Sequence, residues 1–143
     1  MSKPQPPQLA DYRWTCPITT RWSDNDVYQH VNNVVYYSYF DTVANSYLIE
    51  RGGLDFRDGS IVGFVVNSNC DYHAPIAFPD RLTGALRVDR LGSSSVTYGI
   101  GIFLEGSDSA VANGTFTHVF VDRAAGRPVA IPGALRAALE AIA

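Results

Sequence analysis

Two periodicities divide the chain. Between Asn33 and Glu50, Tyr36, Phe40, Val43 and Tyr47 recur at spacings of four, three and four, the repeat of one helix face. The spacing predicts a helix over 33–50, about 27 Å long, stopped by Gly52-Gly53, because glycine takes the left-handed cap conformation cheaply. Val34, Val35, Tyr37, Tyr39, Ala44 and Leu48 fill its other faces, and only Asp41 and Glu50 carry charge. A run of β-branched and aromatic residues is a poor intrinsic helix former. Burial must therefore hold this helix, and one that is apolar nearly all round is expected to be covered nearly all round.

Elsewhere the period is two. Tyr12 to Trp22 is rich in strand formers and reads as a first strand. Val62, Phe64 and Val66 alternate, then Leu82, Leu86 and Val88, then Val96, Tyr98, Ile100, Ile102 and Leu104, then Phe116, His118 and Phe120. Gly92-Ser93 and Gly106-Ser107-Asp108 are turn chemistry, and short turns imply antiparallel neighbours. A short helix follows Pro132, with Leu135, Leu139 and Ile142 as its apolar side. Residues 1–9 contain Pro4, Pro6 and Pro7 and read as a disordered tail; residues 10–143 read as one domain. The order is strand, buried helix, four strands, short helix. A flat sheet cannot cover one long apolar helix, whereas a strongly curved antiparallel sheet wrapped around it can. The expected class is α+β, in the hot-dog arrangement. Open sheet edges and a partly covered helix lead to the expectation of a homodimer or homotetramer.

Composition narrows the function. The chain has 143 residues, 46% hydrophobic and 17% charged, with a net charge of −3. Nucleic-acid binders usually carry a basic excess, so none is expected as a partner. Cys16 and Cys70 are too few for a disulfide scaffold and lie in no zinc-ligand spacing, so no metal and no cofactor is expected. The N-terminus lacks the apolar core of a signal peptide and no run is long enough to span a membrane, so the expected location is the cytoplasm.

The polar run from Asp24 to Asn33 separates the first strand from the buried helix and ends at that helix's N-terminus. Free N–H groups and a partial positive charge gather there, a natural place to stabilise negative charge growing on a carbonyl oxygen. A carboxylate just upstream could attack the carbonyl carbon or activate a water. Asp24 reads as holding the loop by hydrogen bonds rather than reacting, His30 as an acid or a packed imidazole, and Asn32 and Asn33 as loop bracing and capping. Tyr36 lies one helical turn from the site. Asp41 is unusual in its apolar setting and could order the site from below, and His73 and His118 read as structural.

The run Asp24-x-Asp26-x-x-Gln29-His30-Val31-Asn32-Asn33, followed by Tyr36-Tyr37 and Phe40-Asp41, resembles the signature of the 4-hydroxybenzoyl-CoA thioesterase family of hot-dog proteins, commonly D-x-D-x-x-G-H-V-N-N before an aromatic helix. Weaker similarity continues through Tyr72-x-x-Pro75, Asp80-x-Leu82, Gly92-Ser93-Ser94-Ser95, Arg127-Pro128 and Ile131-Pro132. The resemblance implies an acyl-CoA thioesterase, with acyl-CoA held at a dimer interface; for the phosphates of such a substrate the candidate ligands are Arg81, Arg87, Arg90, Arg123 and Arg127, through the guanidinium fork, with Arg90, beside the Gly92-Ser93 turn, placed first. It implies Asp26 as the catalytic carboxylate, nucleophile or general base, and the backbone N–H of Asn33 as the oxyanion donor. Gln29 stands where that family has glycine, so the backbone at this turn is a point to inspect. Two other readings of the fold are a non-catalytic acyl-CoA-binding protein and an acyl-thioester hydratase or dehydratase. Against the latter, the chain has neither the G-D-x-N-P-x-H run nor the H-F-P start of those enzymes.

Overall fold

The computed structural model describes residues 5–143. The strands are β1 (Trp14–Thr19), β2 (Ile61–Tyr72), β3 (Arg81–Leu91), β4 (Ser95–Leu104) and β5 (Ala112–Asp122), and the helices are α1 (Val35–Glu50) and α2 (Gly133–Glu140). The strands form one antiparallel sheet in the order β1-β3-β4-β5-β2. Helix α1 lies against its inner face, which makes this the α+β hot-dog arrangement. Register shifts at Val65/Asn67 and Val88/Arg90 mark bulges, which bend strands and increase twist.

Helix α1 lies on the sheet through Phe40, Val43, Ala44 and Leu48, all fully buried, facing Leu82, Leu86, Ile100, Ile102 and Phe120. Gly84 permits the close approach, because a Cβ there would overlap Val43. The helix ends as expected: Gly53 sits at φ +67° and the Leu54 N–H donates to Leu48 O at 3.0 Å. Helix α2 closes one end through Leu135, Leu139 and Ile142.

The structure departs from the expectation of a helix covered all round. Ser38, Asp41, Thr42, Ile49 and Glu50 are exposed, forming a mostly polar outer stripe. The buried face holds seven residues, enough to anchor the helix from one side. Uncovered apolar surface lies on β2, where Phe64, Val65, Val66 and Tyr72 are between 44% and 58% exposed, and around the loop before α1, at Trp22, Val27, Tyr28 and Val34. Both faces of that edge strand are open, so its alternation does not sort inward from outward. Strand β1 is shorter than the span 12–22, because Thr20 leaves the sheet to donate to Asp80 O at 2.6 Å and a 3-10 turn follows at Trp22–Asp24.

Of the expected disordered tail over 1–9, residues 1–4 lie outside the described residues. Pro7 to Leu9 do not trail: the Leu9 N–H donates to Asp108 O at 2.8 Å and the Ala110 N–H donates to Pro7 O at 3.0 Å. Leu9 and Tyr12 cover Ala85, Phe103 and Ala110 on the outer face of the sheet, which explains why β4 is buried on both faces from Tyr98 to Phe103. Among the described residues no helix is long and apolar enough to cross a membrane, and no group of three or more His, Cys, Asp or Glu gathers as a metal site.

His118 is buried among Tyr98, Phe116 and Phe120, its Nδ1 3.0 Å from the Tyr98 hydroxyl. Burial pushes its pKa down from 6.5 to about 4. The unfolded chain therefore takes up a proton that the folded chain refuses. Stability is lost as pH falls from 6.5 toward 4, by about 2 kcal/mol at pH 5. Urea unfolding at pH 7 and pH 5 should show this fall, and His118→Asn should show one smaller by that amount; equal falls would remove His118 as the cause.

Candidate active site

The Asp24–Asn33 loop is held by its own backbone and by segment 76–80. The Asp26 N–H donates to His30 O at 2.9 Å, the Gln29 N–H to Asp26 O at 3.0 Å, the Asn32 N–H to Asp24 O at 2.9 Å and the Val31 N–H to Ile76 O at 2.8 Å. The Asn25 carboxamide oxygen accepts from the Phe78 N–H at 2.9 Å. Gln29 has φ +70°, so the turn keeps the left-handed conformation that glycine would take more cheaply.

Asp24 is the buried anchor. Its carboxylate accepts from the Arg21 N–H at 2.9 Å, the Arg21 guanidinium at 2.9 and 3.0 Å, and the Tyr39 hydroxyl at 2.7 Å. Burial by itself would raise its pKa, but the Tyr39 hydroxyl, the Arg21 N–H and the guanidinium outweigh it and hold the carboxyl below its ordinary range. Tyr39 responds in the opposite direction: burial and the bond to Asp24 push its hydroxyl pKa up. This brace to α1 escapes a linear reading, because Asp24 and Tyr39 meet only once the helix lies beside the loop.

Asp26 is half-buried, and its Oδ1 accepts from the Tyr28 N–H at 2.8 Å. It lines a cleft of about 530 Å³ with Trp22, Asn25, Gln29, Ala77 and Phe78. His30, Asn33 and Tyr36 line a second cleft of about 320 Å³ with Tyr72, His73 and Pro75. The predicted site residues thus share one loop but face two clefts. Residues 72–75 line the second cleft and 77–78 the first, and Ile76, which accepts from the Val31 N–H, stands between them in the sequence.

At the helix start, the Asn32 side chain accepts from the Val34 N–H at 3.0 Å and its carbonyl from the Val35 N–H at 2.9 Å. Asn32 thus braces the turn that leads into the helix, and α1 begins at Val35, with Val34 at its N-cap, rather than at Asn33. The Asn33 carbonyl accepts from the Tyr72 hydroxyl at 2.9 Å, while its N–H has no acceptor among the described residues. Tyr36 is buried and stacks edge-on against Tyr39 and Tyr72, and burial pushes its hydroxyl up to about 12.

His73, read from sequence as structural, belongs to the second cleft, with its Nε2 2.6 Å from the Asn113 carboxamide oxygen. It is 43 residues from His30, so only the strand register unites them. Asp41 points away from the loop on the outer face of α1, bonded to Asn45 at 2.9 Å. Arg90 is equally remote. Arg81 pairs with Thr19, where β1 leads toward the loop, whereas Arg90 pairs with Thr97 nine residues further along β3, about 30 Å away. Within one chain Arg90 does not join Asp26.

Residues 28–111 match the family profile described as the thioesterase superfamily, a span that begins just after Asp26. The chain is 31% identical over 124 residues to the long-chain acyl-CoA thioesterase FadM of Escherichia coli, covering 86% of this chain and 94% of that protein. Among solved structures it resembles the PA5185 protein of Pseudomonas aeruginosa, with 58% identity, a TM-score of 0.94 and 96% of each chain covered. It also resembles a 1,4-dihydroxy-2-naphthoyl-CoA thioesterase from Synechocystis at 18% identity, with a TM-score of 0.78 and 87% and 93% of the chains covered, a likeness of fold alone.

Proposed function

The chain belongs to the thioesterase superfamily, and on that premise we propose that it hydrolyses an acyl-CoA thioester to a carboxylic acid and CoA, with Asp26 as nucleophile or general base. The observation that carries this reading is the loop itself. It holds a half-buried carboxylate a few residues before a helix start whose Asn33 N–H has no acceptor among the described residues. The thioester lies across the Val31–Ile76 bond, its carbonyl oxygen toward the Asn33 N–H. That donor meets the charge that develops when Asp26, or a water it deprotonates, adds to the carbonyl carbon. The tetrahedral adduct then expels the thiolate as the C–S bond breaks. Trp22 and Phe78 wall the Asp26 cleft and suit an apolar acyl group. His30, Tyr36 and Asn32 support the site by lining and bracing it, and Arg90 could serve the CoA phosphates only from another subunit.

A panel of aromatic, short-chain and long-chain acyl-CoAs tests the reading. Free thiol should appear with at least one of them without added metal or cofactor, and activity should survive chelation. An acyl-CoA that binds and stays intact would favour the non-catalytic reading; consumption of an enoyl-CoA without thiol release would favour a hydratase.

The active form is a homo-oligomer, at least a dimer. Support comes from the open β2 edge with Phe64, Val65 and Val66, and from the exposed Trp22, Val27, Tyr28 and Val34 around the site; unpaired edges and apolar patches both favour association. Light scattering at low micromolar concentration should give at least twice the mass of one chain, and a stable, active monomer would count against this assembly.

A further inference from the structure

Among the described residues, Gln29 is the only one other than glycine with positive φ, at +70°. That conformation costs a residue with a Cβ about 1–2 kcal/mol. The bond that closes the turn, from the Gln29 N–H to Asp26 O, uses backbone alone and would form equally with glycine. The Gln29 side chain is exposed and has no hydrogen-bond partner among the described residues. Among the described residues nothing offsets the conformational cost.

Its position points to what does. Gln29 lines the same cleft as Asp26, opposite apolar walls formed by Trp22 and Phe78, whose rings meet edge-on at 6.0 Å. Of the other polar atoms there, Asn25 Oδ1 accepts from the Phe78 N–H and Asp26 Oδ1 from the Tyr28 N–H, while the Asn25 amide N–H and the Trp22 indole N–H have no hydrogen-bond partner among the described residues. The Gln29 carboxamide and the second Asp26 oxygen likewise remain for a ligand. We propose that Gln29 is a positioning residue of the hydrolysis, its carboxamide holding the attacking water beside the Asp26 carboxylate. This rests on the assignment of Asp26 above. In the step, Gln29 Oε1 accepts one water proton as a hydrogen bond. The other proton passes to Asp26 as the water oxygen bonds to the thioester carbon. The C–S bond then breaks, and the proton on Asp26 goes to the leaving thiolate.

Three substitutions in the full-length protein, with Asp26→Asn alongside, test this by steady-state thiol release and thermal unfolding. Gln29→Gly relieves the left-handed conformation, so Tm should hold or rise while kcat falls by up to about 10²-fold with KM little changed. Gln29→Met keeps the bulk and the conformational cost but cannot hold water, so kcat should fall with Tm unchanged. Gln29→Asn should recover part of kcat, since asparagine tolerates the left-handed region and retains a carboxamide. Wild-type kcat in both Gln29→Gly and Gln29→Met, with Asp26→Asn inactive, overturns the role of Gln29 and leaves Asp26 standing. Wild-type kcat in Asp26→Asn removes both assignments. A kcat loss in Gln29→Gly accompanied by a falling Tm marks a packing role and also overturns the proposal.

Discussion

Asp26→Asn is expected to lower kcat by at least about 10²-fold, the lower bound of what a positioned base supplies, while acyl-CoA binding survives. The substitution is isosteric. Its carboxamide oxygen can still accept from the Tyr28 N–H, and the bonds from Asp26 to His30 and Gln29 are backbone bonds, so the turn should keep its shape. What disappears is the charge, and with it the capacity to attack a carbonyl or take a proton from water. Thiol release gives kcat and calorimetry with a slowly hydrolysed analogue gives affinity. A folded oligomer retaining near wild-type kcat would falsify the central assignment. Single turnover in ¹⁸O-water divides the two routes, because an acyl-aspartyl intermediate opened at the aspartyl carbon carries label into the protein.

Replacing Asp24 by asparagine should act chiefly on stability, at a cost of about 3 kcal/mol. Its carboxylate is fully buried and faces only donors: the Arg21 N–H, the Arg21 guanidinium and the Tyr39 hydroxyl. An amide turns one oxygen into a donor among donors, so charge-assisted bonds are lost and one buried group goes unpaired. Because the folded-state pKa of Asp24 is lowered, its contribution is present above the ordinary carboxylate pKa and lost as pH falls through the lower folded value. The loop loosens with it, so kcat should drop too, though less than in Asp26→Asn. Urea unfolding of Asp24→Asn, Tyr39→Phe and the double variant should show coupling within the 0.5–3 kcal/mol seen for contacting pairs. Additive effects would mean that the bond between α1 and the loop braces nothing.

The two aspartates also show how far a linear reading reaches. Their spacing before a buried helix was enough to mark the loop, and the polar run needs no partner to be noticed. That Asp24 holds the loop was also read from the sequence; its partner Tyr39, fifteen residues on, was not, because it comes alongside only when α1 docks. The helix itself was legible for the same local reason: its 3.6-residue repeat survives poor intrinsic propensity. The extent of its cover was not, because Ser38, Asp41, Thr42, Asn45 and Ser46, polar and on one side, were outweighed by the aromatic residues around them.

Local periodicity and turn chemistry determined the strand and helix order, the α+β class, the helix stop at Gly53 and the place of the candidate loop. Each of these depends on neighbours within a few residues. Tertiary structure alone decided that Leu9 and Tyr12 cover the back of the sheet and that open apolar surface lies on β2 and around the loop before α1. It also put His73 in the same cleft as His30, put Arg90 at the far end of β3 and set Asp26 and Asn33 in different clefts. These outcomes depend on register and on which face meets which, and they arise from contacts between residues tens of positions apart that no local pattern encodes.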